Sequence, residues 1–217
     1  VALSLIGGAA AALRGGRMAR EGVQDVRALA TTLVFDGEGA VRGLPGSLRA
    51  RQIVARTGLE YLGNLASGSA NDWALKRELA TAYLRIGELQ GGVETSNLGD
   101  PAGALDSFGQ AKALLDAVLT HTPNDRNAVL DRMTVSHRMS DLYRQTGRLL
   151  LSAKSTEDGL RRAEALLAAQ PGDADAVQYP AVFHLDLGRL RQEGGDLGQA
   201  AREIASGVDL LRRLSSV

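Results

Sequence analysis

The sequence predicts an all-α fold, an array of about three helical hairpins preceded by a separate helical segment, and three observations predict it. Gly99, Gly147 and Gly195 stand 48 residues apart, and 24 residues separate both Gly99 from Pro123 and Gly147 from Pro171. A fixed period of this length marks a stack of similar units, each burying its apolar face against its neighbours. Within each period small and aromatic residues recur at helical steps, as in Leu79-Ala80-x2-Tyr83-x3-Gly87 and Gly99-Asp100-x3-Ala104-x3-Phe108-x2-Ala111. The apolar content is 44% but aromatics only 4%, with Leu and Ala dominant, which suits helix-on-helix packing better than a sheet.

Composition bounds the function. The 217 residues carry 25 basic and 25 acidic side chains, so no global field recruits nucleic acid or anionic lipid. There is no cysteine, which excludes disulfides and thiolate metal sites.

Val1 to Leu13 holds no charge, and Arg14, Arg17 and Arg20 follow. Thirteen helical residues span about 20 Å against roughly 30 Å of hydrocarbon, so residues 1–13 are expected to be the remnant of a transmembrane helix. A signal-peptide remnant fits less well, because no basic stretch precedes the apolar run. Residues 14–66 form the expected juxtamembrane helical segment. Val23, Val26, Ala30, Leu33 and Val34 share one helix face until Gly37, Gly39 and Gly43 interrupt it. Leu44-Pro45-Gly46-Ser47 then makes a turn whose serine can cap a helix carrying Ile53, Leu59, Leu62 and Leu65 on one face.

The hairpin array is expected over 72–217. Asn71 or Asp72 caps its first helix; Leu89 to Leu98 reads as a loop; Asp100-Pro101 opens the second helix, with proline where a missing N–H costs nothing. The pairs fall near 72–90 with 100–121, 125–147 with 150–170, and 173–194 with 196–215. Ala104 and Gly188 are expected at close helix contacts. In the middle pair Ser152 and Gly159 replace Ala104 and Ala111 of the first, which predicts looser packing. Pro180 marks either the start of a helix or a kink in one.

This pattern resembles the tetratricopeptide repeat, with each second helix about two turns longer. Further blocks, among them Leu44-Pro45-Gly46-Ser47, Glu78-Leu79-Ala80-x-Ala82-Tyr83-x2-Ile86-Gly87 and Asn97-Leu98-Gly99-Asp100, resemble the region behind the membrane helix of acidobacterial-type serine/threonine kinases. That resemblance covers roughly residues 14 to 171. It implies a membrane-anchored parent with an N-terminal kinase domain and this array on the outer, extracytoplasmic side. The chain would then be a non-catalytic interaction scaffold of a receptor-like kinase; the alternative is a stand-alone periplasmic or secreted adaptor.

The residues themselves carry no catalytic signature. Gly37-x-Gly39-x3-Gly43 lacks both a preceding strand and a Lys-Ser/Thr ending, and none of the kinase motifs is present. His121, His137 and His184 are scattered; His137 and Asp141, one turn apart, read as a solvated pair rather than a metal site. No metal or other cofactor is expected. Trp73 reads as a buried anchor between helices.

A binding groove can be assigned by spacing. In tetratricopeptide arrays the groove-facing residues lie three before, one after and five after the small residue of each first helix. From Ala80, Ser140 and Gly188 these are Arg77, Thr81 and Arg85; His137, Asp141 and Gln145; and Leu185, Arg189 and Glu193, with Arg144 bordering the same face. Four arginines near one groove predict a protein or peptide partner that is acidic or offers a free C-terminal carboxylate, since guanidinium groups grip carboxylates bidentately. Pairing of these arginines with Glu78, Asp141 and Glu193 is the competing expectation. Homodimerisation through the Val23 to Phe35 helix is a second mode of association.

Overall fold

The computed structural model describes residues 71–92 and 97–214, together with scattered helical positions between 49 and 64. The expectations for residues 1–48 lie outside the described residues. Among the described residues the chain is all-α, with no strand. Six helices follow one another: α1 (Trp73–Gly91), α2 (Pro101–His121), α3 (Arg126–Gln145), α4 (Leu149–Ala169), α5 (Ala174–Glu193) and α6 (Leu197–Leu214). None of them is long and apolar enough to cross a membrane. The chain divides into two compact units, Val1–Ala82 and Tyr83–Val217, so the boundary falls within α1.

In the first unit Asp72 accepts the Leu75 N–H at 2.8 Å and so caps α1, which buries Leu75, Leu79, Ala80 and Ala82. Trp73 is half-buried with the Lys76 ammonium 4.0 Å from its ring centroid, a cation–π contact rather than the expected fully buried anchor. Ile53 is 66% exposed; Leu59, Leu62 and Leu65, expected on the same helix face, lie outside the described residues.

In the second unit the helix starts are local events. Asp100, Asp125, Asp173 and Asp196 accept the N–H of Gly103, Ala128, Ala176 and Gln199, at 2.9 to 3.1 Å. Only α4 among these five starts without such a bond, because Arg148 holds its cap position. Helix ends are equally local. Gly147 and Gly195 have φ of 72° and 84°, a conformation that costs a glycine nothing. The next N–H then reaches back to a helix carbonyl, Arg148 to Tyr143 at 2.7 Å and Asp196 to Arg191 at 2.9 Å. Both are Schellman closures, and Gly99, with φ of 69°, keeps the same period.

Each hairpin closes through small residues. A Cβ on Gly87 would lie 2.4 Å from the Phe108 ring, and one on Gly91 would lie 3.0 Å from Ala104 Cβ. At the third hairpin a Cβ on Gly188 would come within 2.6 Å of Ile204, so Ala104 and Gly188 occupy close contacts as expected. The middle hairpin closes through hydroxyl groups. Ser140, Ser152 and Thr156 are buried there, with Ser140 Oγ 2.9 Å from Ser152 Oγ and 2.6 Å from Thr156 Oγ1. The hydroxyls bond one another across the helix contact, so these buried polar groups are paired.

One further expectation changes, and one open choice narrows. Leu89 to Gly91 is helix rather than loop: Gln90 Oε1 accepts the Ser107 hydroxyl at 2.6 Å, and the Leu89 and Gln90 carbonyls accept the N–H groups of Leu98 and Asp100. Pro180 neither starts α5 nor ends it. Asp173 has already initiated the helix, and Pro180 is buried in its interior, where it deprives the Ala176 carbonyl of its usual partner.

Candidate functional site

The groove lies between the first helices of the second and third hairpins. Thr134, His137, Arg138 and Asp141 recur at three- and four-residue steps along one stripe of α3, and Tyr179, Phe183 and Asp186 do the same on α5. Most of these residues line a cavity of about 360 Å³, with Asp175, Gln178 and Val182 on the α5 side.

His137 holds the groove floor. Its Nδ1 donates to Asp186 Oδ2 at 2.9 Å, its Nε2 stands 3.6 Å from Asp141 Oδ2, and its ring meets Phe183 edge to face at 6.2 Å. The expected solvated pair is therefore corrected: Asp141 is buried, and a second aspartate arrives from the neighbouring helix. Burial favours the neutral imidazole, but the hydrogen bond and charge of Asp186, with the charge of Asp141, outweigh it and raise the His137 pKa above its ordinary value. Burial, reinforced by the charge of Asp186, lifts Asp141 against the opposing cations His137, Arg144 and Arg138. Among the described residues no His, Asp or Glu cluster is arranged to hold a metal ion.

None of the other assigned residues is on the lining of this cavity. Arg144 Nη2 lies 3.8 Å from Asp141 Oδ1 and its Nη1 3.7 Å from Glu193 Oε1, while Arg189 Nη1 lies 3.8 Å from Asp186 Oδ1. These separations are charge pairs beyond hydrogen-bond length. Gln145 is exposed at the end of α3. Leu185 turns instead toward α6, where its Cγ would meet a Cβ on Gly207 at 2.9 Å. Arg77 and Thr81 belong to the first unit, where the Thr81 hydroxyl donates to the Arg77 carbonyl at 3.1 Å, and Arg85 is exposed on α1.

On α1, Gly87 and Gly91 meet α2. Beside Gly87, Leu84 is buried and Glu88 accepts from Arg138 Nε at 3.1 Å. Arg138 and Asp186 are 48 residues apart, and each reaches back to the preceding first helix, Arg138 to Glu88 and Asp186 to His137. Sequence reasoning missed this ladder, although the 48-residue offset could have found it. Arg126 adds a third tie, from the start of α3 to Asp173 at 2.8 Å and Asp175 at 2.9 Å. No family model matches the chain, and no curated protein matches it significantly.

Proposed function

We propose that the chain is a tetratricopeptide-type protein-interaction scaffold, and that it serves as the extracytoplasmic interaction region of a membrane-anchored receptor-like serine/threonine kinase. The observation that carries the scaffold reading is the cavity between α3 and α5. Its walls combine a buried ring at Phe183 with polar groups at helical spacing, the mixture by which a groove binds a peptide and fixes its register. The kinase assignment is supported by sequence blocks alone, Leu-Pro-Gly-Ser and Asn-Leu-Gly-Asp among them, and the gene sequence upstream of Val1 tests it directly. A parent lacking a kinase domain would refute it.

The partner fits a segment presenting a carboxylate. Arg144 and Arg189 are held by acids too distant for hydrogen bonds, so a ligand carboxylate at closer range can compete for them. Peptides selected from a random C-terminal library should bind the intact chain with salt-dependent affinity, and Arg144→Glu with Arg189→Glu should abolish most of both the affinity and its salt dependence. Selected peptides that bind this double variant as well as they bind the wild type would remove the groove as the binding site.

A further inference from the structure

The stripe of α3 turned away from the groove carries Arg132, Ser136, Met139 and Tyr143. It faces α2 and α4 across a separate cavity of about 220 Å³. Arg132 is 1% exposed, and all three of its nitrogens are engaged. Nε donates to Asp116 at 2.8 Å, Nη1 to Ser136 Oγ at 2.6 Å, and Nη2 to Asp158 Oδ2 at 2.5 Å. Asp116 also accepts from Lys112 at 2.6 Å and Arg162 at 3.1 Å, and Asp158 accepts from Arg161 at 3.0 Å. Arg162 Nε is buried, 3.9 Å from Asp158, with no hydrogen-bond partner.

Two carboxylates thus stand against four cations. Burial pushes both carboxyls up, yet the surrounding hydrogen bonds and positive charges hold both below the ordinary aspartate range, so both are ionised and the cluster keeps a positive excess. Lys154 contributes a further cation to the cavity lining, and Tyr143 and Ser155 contribute hydroxyls, while the Ser136 hydroxyl donates to Asp158 at 3.4 Å. A concave surface carrying such an excess attracts anions.

We propose that this recess binds a phosphoryl oxyanion. Lys112 and Lys154 supply the charge, the hydroxyls supply directed hydrogen bonds, and the buried Arg132 fixes the positive floor. Met139 and Leu151 on the same lining would receive the organic part of a phosphate monoester. The site is independent of the peptide groove, since the two occupy opposite stripes of α3.

Isothermal titration of the whole chain tests this, with inorganic phosphate and phenyl phosphate as probes and ionic strength held constant with sodium chloride. Saturable binding is expected, tighter for phenyl phosphate. Equal affinity for both probes would also support the site, with the free oxyanion as its ligand. Lys112→Gln and Lys154→Gln should each weaken binding about fivefold, the scale of one partly exposed charge interaction, while Arg212→Gln on exposed α6 should leave it unchanged. Both lysine changes are at partly or fully exposed positions, and thermal melts verify that the variants remain folded. Absence of saturable binding with either probe, or unchanged affinity in both lysine variants, would overturn the proposal.

Discussion

Gly159 of α4 stands directly on the ring of Phe183 of α5, and a Cβ built on the glycine would come within 2.2 Å of the ring carbon Cζ. Phe183 is fully buried, and it packs with Met133, Ala163, Leu166 and Ala176 in the core that joins the second hairpin to the third. Displacing the ring would disturb that core. Gly159→Ala should therefore destabilise the chain by about 1–3 kcal/mol, despite alanine's better helix propensity, because overpacking outweighs it. Chemical denaturation provides the measurement, and a neutral result would mean that the ring can be displaced.

The start of α4 offers the opposite case. Arg148 places a cation at a helix N-terminus where the equivalent residues, Asp100 and Asp196, accept a backbone N–H. Arg148→Asp should stabilise the chain by about 1 kcal/mol, by supplying the missing cap and reversing an unfavourable interaction with the helix dipole. A higher midpoint in urea with an unchanged slope is the expected readout.

His137 should make stability depend on pH. Its folded pKa is raised above the unfolded value near about 6.5, so the stabilisation it contributes is fully present below that value and is lost as pH rises through the folded pKa. Asp141, also raised, disfavours its own ionised form and therefore acts in the same direction at lower pH. Thermal midpoints should fall as pH increases across the histidine range, and His137→Gln should flatten that fall. Parallel profiles for the wild type and His137→Gln would exclude His137 as the source; the comparison removes any background from His121 and His184.

The buried hydroxyls can be separated by mutational cycles. Ser152 Oγ donates to the Ser140 carbonyl at 2.8 Å and Thr156 Oγ1 to the Ser152 carbonyl at 3.0 Å, leaving Ser140 Oγ to bridge the two side chains. Ser140→Ala should cost about 1 kcal/mol. Combining it with Ser152→Ala and Thr156→Val should cost less than the sum of the three single changes, because no buried polar group is then stranded. Strict additivity, measured by denaturant unfolding, would contradict a cooperative network.

The helix boundaries in the array were legible to within two residues, because Asp100-Pro101, Asp125 and Asp173 start helices and Gly147 and Gly195 end them through neighbours in sequence. The end of α1 was not: Leu89 to Gly91 continue the helix, and the groups that bond Leu89 and Gln90, from Leu98, Asp100 and Ser107, lie beyond the turn. Arg132 was missed for a related reason. On its own helix it looks like any solvated arginine, and its burial depends on Asp116 and Asp158, supplied by two other helices. The floor of the groove was half legible, since His137 and Asp141 share a helix whereas Asp186 comes from α5.

The left-handed glycines have an evolutionary consequence. Residues 148–195 begin just after one such turn and end on another, so both edges of this 48-residue cassette meet the chain in the same backbone conformation. A tandem duplication cut at these points would splice like to like, adding a hairpin without requiring a new joint to be invented. Recombination could then lengthen or shorten the array in whole units, while substitutions on the groove stripe retune each unit separately.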